Sequence, residues 1–231
     1  MAIATDKDVP PLAAGDNLSR DEFLRRWEAQ GDIKLAELIK GTVYMPSPVS
    51  GEHGKMDRRI GTWMGVYQAA TPGVDGANNA TSIMLEDAPQ PDLSLLILPE
   101  YGGGTRTQGR YFHGVPELLA EVCASSASYD LHQKYDLYES ASVPEYLTVL
   151  VFEREIRWHE LVEGRYRVFA PDADGLWRSR VFPGLWLDGK ALLAGNLRQV
   201  LDRLQDGLES PEHERFVAQL AAQRQQAGGR P

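Results

Sequence analysis

The chain has 231 residues, 42% hydrophobic and 25% charged, an ordinary globular profile long enough to bury a core. No apolar run is long enough to span a bilayer, the N-terminus has no h-region, and the single Cys123 excludes an intrachain disulfide framework. A net charge of −9 gives no support to broad electrostatic binding of nucleic acid, though a local basic patch stays open. Together these point to a reducing, cytoplasmic compartment and no membrane partner.

Residues 1–17 are rich in Pro, Ala and Asp without periodicity, and read as a flexible N-terminal arm. Ser19 and Glu22 have capping-box spacing before Phe23, Leu24 and Trp27, and Gly31 ends that helix. Two short runs, 35–39 and 42–45, meet at Lys40-Gly41 as a hairpin, with Glu37 inside the first strand and Pro46 and Pro48 stopping the second. From 52 to about 70, Met56, Ile60, Trp63, Met64 and Tyr67 recur at helical steps, opposite Lys55, Arg58 and Arg59. The polar stretch 74–90 offers one strand near 81–85.

Asp92 opens a nearly continuous apolar strand to 98, of the kind found inside a covered sheet. Residues 99–114 read as a long Gly-rich loop carrying Arg106 and Arg110. A buried strand over 118–123 carries Glu121. A turn at 125–128 leads into a helix to about 141, with Ser128 as N-cap and Leu131, Tyr135 and Tyr138 on one face. Strands follow over 146–152, 155–161 and 165–170, the last two joined at Glu163-Gly164, and then over 177–182 with a short extended segment after it. Leu197, Val200, Leu201, Leu204 and Leu208 define a helix, and Pro211 begins another that runs into a polar tail. The order predicts one α/β or α+β core, a mixed central sheet flanked by helices, preceded by a helix and a hairpin.

A carboxylate in a hydrophobic strand is costly to bury unless it binds something. Glu37, Asp92 and Glu121 lie in or at the lip of apolar strands, and Lys134 lies on the helix after the third. Such acids can converge on one Mg²⁺, which takes oxygen ligands, and a lysine beside it can position or deprotonate water and offset charge on a phosphodiester. Each residue also has a plainer reading. Asp92 follows Pro91 as a strand-entry residue does, Glu121 could meet a structural arginine, and Glu37 could face solvent. Lys134 lies four residues after Asp130, the spacing of a surface ion pair, and a lone His53 is more often neither ligand nor base. No P-loop, HExxH or CxxC motif is present, and Cys123 with His113 or His132 has no spacing that favours a nucleophile over core packing.

Several stretches resemble the Uma2 (DUF820) family, a bacterial group with a restriction-endonuclease-like fold. They are AELIKG with VYMPSPVSGEHG, then QPDLSLL, then PELLAEVCASSASYDLHQKYDLYESASVPEYL, and SRVFPGLWLDGKALL. The resemblance runs from about Leu18 to Leu193 and implies a single PD-(D/E)XK-like domain over 18–208, with a C-terminal helix and polar tail over 209–231. It implies Asp92 and Glu121 as metal ligands, Lys134 as the motif lysine supplied from the next helix, since Cys123 stands in its common place, and Glu37 as an auxiliary acid. The implied activity is Mg²⁺-dependent (or Mn²⁺-dependent) hydrolysis of DNA by a homodimeric endonuclease. His53, Lys55, Arg58, Arg59, Arg106 and Arg110 are then the candidate phosphate contacts. The alternative is a non-catalytic nucleic-acid-binding or protein-interaction module on the same fold. Lys40, Ser142 and Leu147 stand where the family usually has Asp, Gly and Trp.

Overall fold

The computed structural model describes residues 9–31, 35–45, 49–123 and 128–228. Pro46, Pro48, the turn at 125–127 and the side chains of Ser128, Asp130 and Leu131, all used above, lie outside the described ones. The first helix, α1 (Arg20–Ala29), is capped by Ser19, whose hydroxyl accepts from the Glu22 amide. Only half of a capping box forms, because the Glu22 carboxylate turns to Arg25 and Arg26. An antiparallel hairpin follows, β1 (Glu37–Ile39) and β2 (Thr42–Tyr44). It turns through Lys40 and Gly41 at φ 51° and 75°, the left-handed pair that suits the strand twist. Within the segment expected as an arm, Leu12 is buried and the Gly15 amide donates to the Val43 carbonyl at 2.8 Å, so this part packs on the hairpin.

Helix α2 (Gly51–Ala70) buries the five apolar residues that its periodicity marks. Strand β3 (Val74–Asn78) was hidden in the sequence by its polar composition; β4 (Ser82–Ile83) and β5 (Leu93–Ile97) follow. The stretch 99–114 is not a long loop. It forms one 3₁₀ turn (Pro99–Tyr101) and a hairpin, β6 (Arg106–Gln108) and β7 (Tyr111–His113), around Gly109 at φ 62°. β4 pairs with β7 in parallel. Next come β8 (Leu118–Cys123), α3 (Ser128–Ser140), β9 (Glu145–Leu150), β10 (Glu155–Val162) and β11 (Arg165–Phe169). Ser142, just before β9, takes φ 63°, which explains why glycine suits that turn. The chain ends with β12 (Leu176–Arg178), β13 (Trp186–Asp188), α4 (Gly189–Ala194), α5 (Leu197–Leu208) and α6 (Pro211–Gly228).

Six strands make the central sheet in the order β11-β10-β9-β8-β5-β3. Only β8 and β9 run parallel, with α3 as their crossover. Alternation along β8 then decides the layers. Leu118, Ala120 and Val122 join Trp63 of α2, Leu204 of α5 and Phe216 and Leu220 of α6 in the main core. Leu119 faces the other way, with Leu137 and Tyr138 of α3. A third cluster joins Phe23 and Trp27 of α1 to Leu38 and Val43 of the hairpin. The fold is thus mixed α+β with helices on both faces, as expected. Phe216 and Leu220 of the C-terminal helix are part of the main core. No helix among the described residues is long and apolar enough to cross a membrane.

The strand expected over 177–182 ends early because its second half turns to serve Glu145, at the start of β9. That carboxylate is fully buried and accepts from Ser179 Oγ at 2.7 Å and from the amides of Arg180 and Val181. Burial outweighs these donors and pushes its pKa from 4.5 up to about 7. A folded pKa above the unfolded one gives stability that is complete below 4.5 and lost as pH rises through 7. This amounts to at most about 3 kcal/mol. Glu145→Gln removes the dependence. The native melting temperature should therefore drop by several degrees more than the variant's from about pH 5 to 8. Parallel curves would contradict this.

Candidate active site

Strand β8 is buried at every position, and its alternation turns Glu121 toward α3, leaving the residue only 5% exposed. Two side chains one helical turn apart on α3 meet it there. Lys134 Nζ lies 3.0 Å from Glu121 Oε1, and the Tyr138 hydroxyl donates to the same oxygen at 2.9 Å. Lys134 Nζ also lies 2.9 Å from Glu37 Oε1 on β1 and 3.4 Å from the Gln90 carbonyl. The three ammonium hydrogens thus have three acceptors. Glu37 is fixed in turn by the Gln90 amide, which donates to it at 2.6 Å. The hairpin that carries Glu37 is tied to α3 by Lys40 with Asp136 and by Tyr44 with Gln133.

Asp92 stands at the entrance to β5, the antiparallel neighbour of β8. Its Oδ2 accepts from the Val122 amide at 2.7 Å, and its Oδ1 lies 3.7 Å from His53 Nε2. His53 is placed by the cap of α2, where Ser50 accepts the His53 amide. One turn further on, Asp57 has its carboxyl pKa raised by burial and by the charge of Asp92.

Of the residues marked in the sequence, Glu37, Glu121 and Lys134 form one bonded cluster. Asp92 adjoins it through Val122, with His53 at its side. Lys134 is directed inward, and Glu121 has no arginine partner among the described residues. Lys55 pairs with Glu52 on its own helix, and Arg59 lies against Gly195 at the end of α4. Arg106 and Arg110 are exposed on the β6–β7 hairpin. Among the described residues, no hydrogen bond or ion pair joins these cations or Arg58 to the cluster. Cys123 is buried, which pushes its thiol pKa up and away from a reactive thiolate.

Sequence reasoning missed Gln90, Asp57 and Tyr138 as members. Asp57 was findable at the i+4 position from His53, and Tyr138 at i+4 from Lys134. Gln90 acts through its backbone, which leaves no signature in the sequence.

Burial raises the pKa of the Glu121 carboxyl, and the Lys134 charge offsets this only in part. Burial alone would lower Lys134, but the charges of Glu121 and Glu37 outweigh it and hold the group well above its usual value, as an ammonium. Four carboxyl groups (Glu37, Asp57, Asp92 and Glu121) therefore surround one ammonium and one imidazole. Among the described residues no three His, Cys, Asp or Glu side chains are grouped so as to hold a metal ion by themselves. Glu121 Oε2 and Asp92 Oδ1 nevertheless make no hydrogen bond there. Two hard oxygen donors within an excess of negative charge fit Mg²⁺ or Mn²⁺, which complete their shells with water and phosphate.

A model of the Uma2 family, described as "Putative restriction endonuclease", matches residues 20–190. A solved structure from Anabaena variabilis, described as a putative nuclease belonging to DUF820, is similar at a TM-score of 0.62 and 15% identity. The match covers 77% of this chain and 98% of that one, a likeness that speaks for the fold. No curated protein matches the chain.

The cluster's electrostatics have a direct stability test. Lys134→Met leaves the buried Glu121 and the half-buried Glu37 without a counter-charge and should cost about 3–5 kcal/mol in denaturant unfolding at neutral pH. Adding Glu121→Gln should recover part of that loss. A cost below about 1 kcal/mol would mean that solvent already screens the pair.

Proposed function

The chain belongs to the Uma2 family, and from that premise we propose that it is a Mg²⁺-dependent endonuclease that hydrolyses phosphodiester bonds in DNA. The observation that carries this reading is the clamping of Lys134 between Glu37 and Glu121, one strand away from Asp92. Asp92 and Glu121 are the residues that would hold the cation, with Mn²⁺ as a substitute. When bound, the cation would polarise the phosphate and offset charge on it.

The chain's own groups divide the remaining work. Lys134, held as an ammonium, opposes negative charge as the phosphate is attacked, and gives a hydrogen to water or to a phosphate oxygen by exchanging its longest contact, 3.4 Å to the Gln90 carbonyl. Its proton is held by two carboxylates, so it orients water and does not take a proton from it. Glu37 and Gln90 fix the lysine, and Tyr138 fixes Glu121. Arg106 and Arg110, exposed on the β6–β7 hairpin, serve as phosphate contacts in this reading. With a net charge of −9, affinity rests on such local contacts, and a homodimer would offer two sets of them to one duplex.

One observation favours a second reading: Glu121 and Lys134 are 5% and 9% exposed, as in a structural ion pair of a non-catalytic module. Cleavage of plasmid, oligonucleotide and RNA substrates with Mg²⁺ or Mn²⁺ separates the two. The native protein should cut DNA, and Asp92→Ala and Lys134→Ala should each lose about 10²-fold or more. Equal cutting by all three proteins would sink the assignment, and cutting by none would favour the structural module.

A further inference from the structure

Between the end of α1 and the β6–β7 hairpin lies a cleft of about 480 Å³, of whose lining the proposed chemistry uses only Gln90 and Arg110. Its walls include Trp27, Asn79, Gln90, Arg110, Tyr111 and Phe112. Two of these are bonded directly to the acidic cluster. Gln90 accepts from Lys134 at 3.4 Å and donates to Glu37 at 2.6 Å. The Asn79 amide donates to the Asp92 carbonyl at 3.1 Å. The cleft therefore begins where the cluster ends.

Its chemistry differs from that of the cluster. The Tyr111 ring stacks on Trp27, with centroids 5.9 Å apart and planes at 19°. Phe112 is half-buried and packs into none of the three apolar cores. Asn79 and Gln90 bring carboxamides with donors and acceptors together, and the Gln90 amide group donates to Thr81 at 2.9 Å. Arg110 is exposed at the hairpin turn. The cleft also holds one acid, Glu28, whose carboxylate accepts from the Tyr111 hydroxyl at 3.2 Å. Flat rings, carboxamides and a cation, set beside a site suited to phosphate, match the parts of a nucleotide. The volume falls among those of small-molecule sites, about 300–1,000 Å³.

We propose that this cleft receives one unstacked nucleobase of the substrate strand, with the adjoining phosphate at the acidic cluster. The inference rests on the nuclease reading and narrows its substrate class. A paired base must leave its stack to enter, and that cost is least where the base is mismatched, unpaired or already single-stranded. The substrate is then DNA with an unpaired nucleotide or a single-stranded stretch.

The test compares the binding of three fluorescent DNAs to the full chain: a paired duplex, the same duplex with one unpaired nucleotide, and the single strand. Binding is read in EDTA, where no hydrolysis occurs, and cleavage is read separately with Mg²⁺. The two probes with an unpaired base should bind roughly tenfold tighter than the duplex, as one base–aromatic stack allows. Thr107→Trp should fill the cleft from exposed β6, opposite Phe112, and abolish the preference. Phe112→Ala should abolish it by removing a ring, and melting curves check that both variants fold. Equal affinities, or a preference that survives in both folded variants, would overturn the subsite. A preference without cleavage would keep the subsite and sink the nuclease reading; cleavage without a preference would do the reverse.

Discussion

A carboxylate in the middle of a fully buried strand is the constraint on which the rest of this structure depends. Glu121 cannot stay charged there without a counter-charge, and among the described residues no cation of its own sheet forms an ion pair with it. The α3 crossover supplies one. Because β8 and β9 are parallel, the chain must cross over between them, and α3 does so over the face that Glu121 occupies. Lys134 and Tyr138, one turn apart, then reach the same oxygen. The β1–β2 hairpin closes the arrangement from the side by placing Glu37 on the lysine. Ion pairs this deep seldom raise stability above that of an apolar replacement. The proposed nuclease reading gives this pair a role beyond folding.

Two buried glutamates on neighbouring strands show how environment divides roles. Glu145 opens β9 and is met by a hydroxyl and backbone amides, which fasten the 179–181 segment to the sheet. Glu121 is met by an ammonium and keeps one oxygen without a hydrogen bond among the described residues. The first closes a turn. The second is left with capacity for a further ligand.

Much of the fold was legible in the sequence because its strong elements have strong patterns. Strand β8 and helix α2 announce themselves by apolar continuity and by helical spacing, and the Lys40-Gly41 turn by its glycine. Strand β3 was not legible, because an edge strand reading Val-Asp-Gly-Ala-Asn gets its order from pairing with β5 and from Gln68 bonded to Asp75. The β6–β7 hairpin was masked by the glycines around it. The site was legible in part. The acids stood out by their apolar surroundings, but local spacing made Lys134 a surface partner of Asp130, and only the family resemblance drew it inward. The Glu37–Lys134 contact joins distant parts of the chain, and no local pattern encodes it. Gln90 works through its backbone, and a backbone role is open to any residue.

The most direct measurement is the binding of Mn²⁺, followed by the loss of the free-ion electron paramagnetic resonance signal, to the native chain and to Asp92→Ala. About one ion should bind per native chain and at least tenfold more weakly to the variant if, as proposed, Asp92 and Glu121 supply the protein's share of the shell. No binding by the native chain, or equal binding by the variant, would contradict a metal site at Asp92 and Glu121.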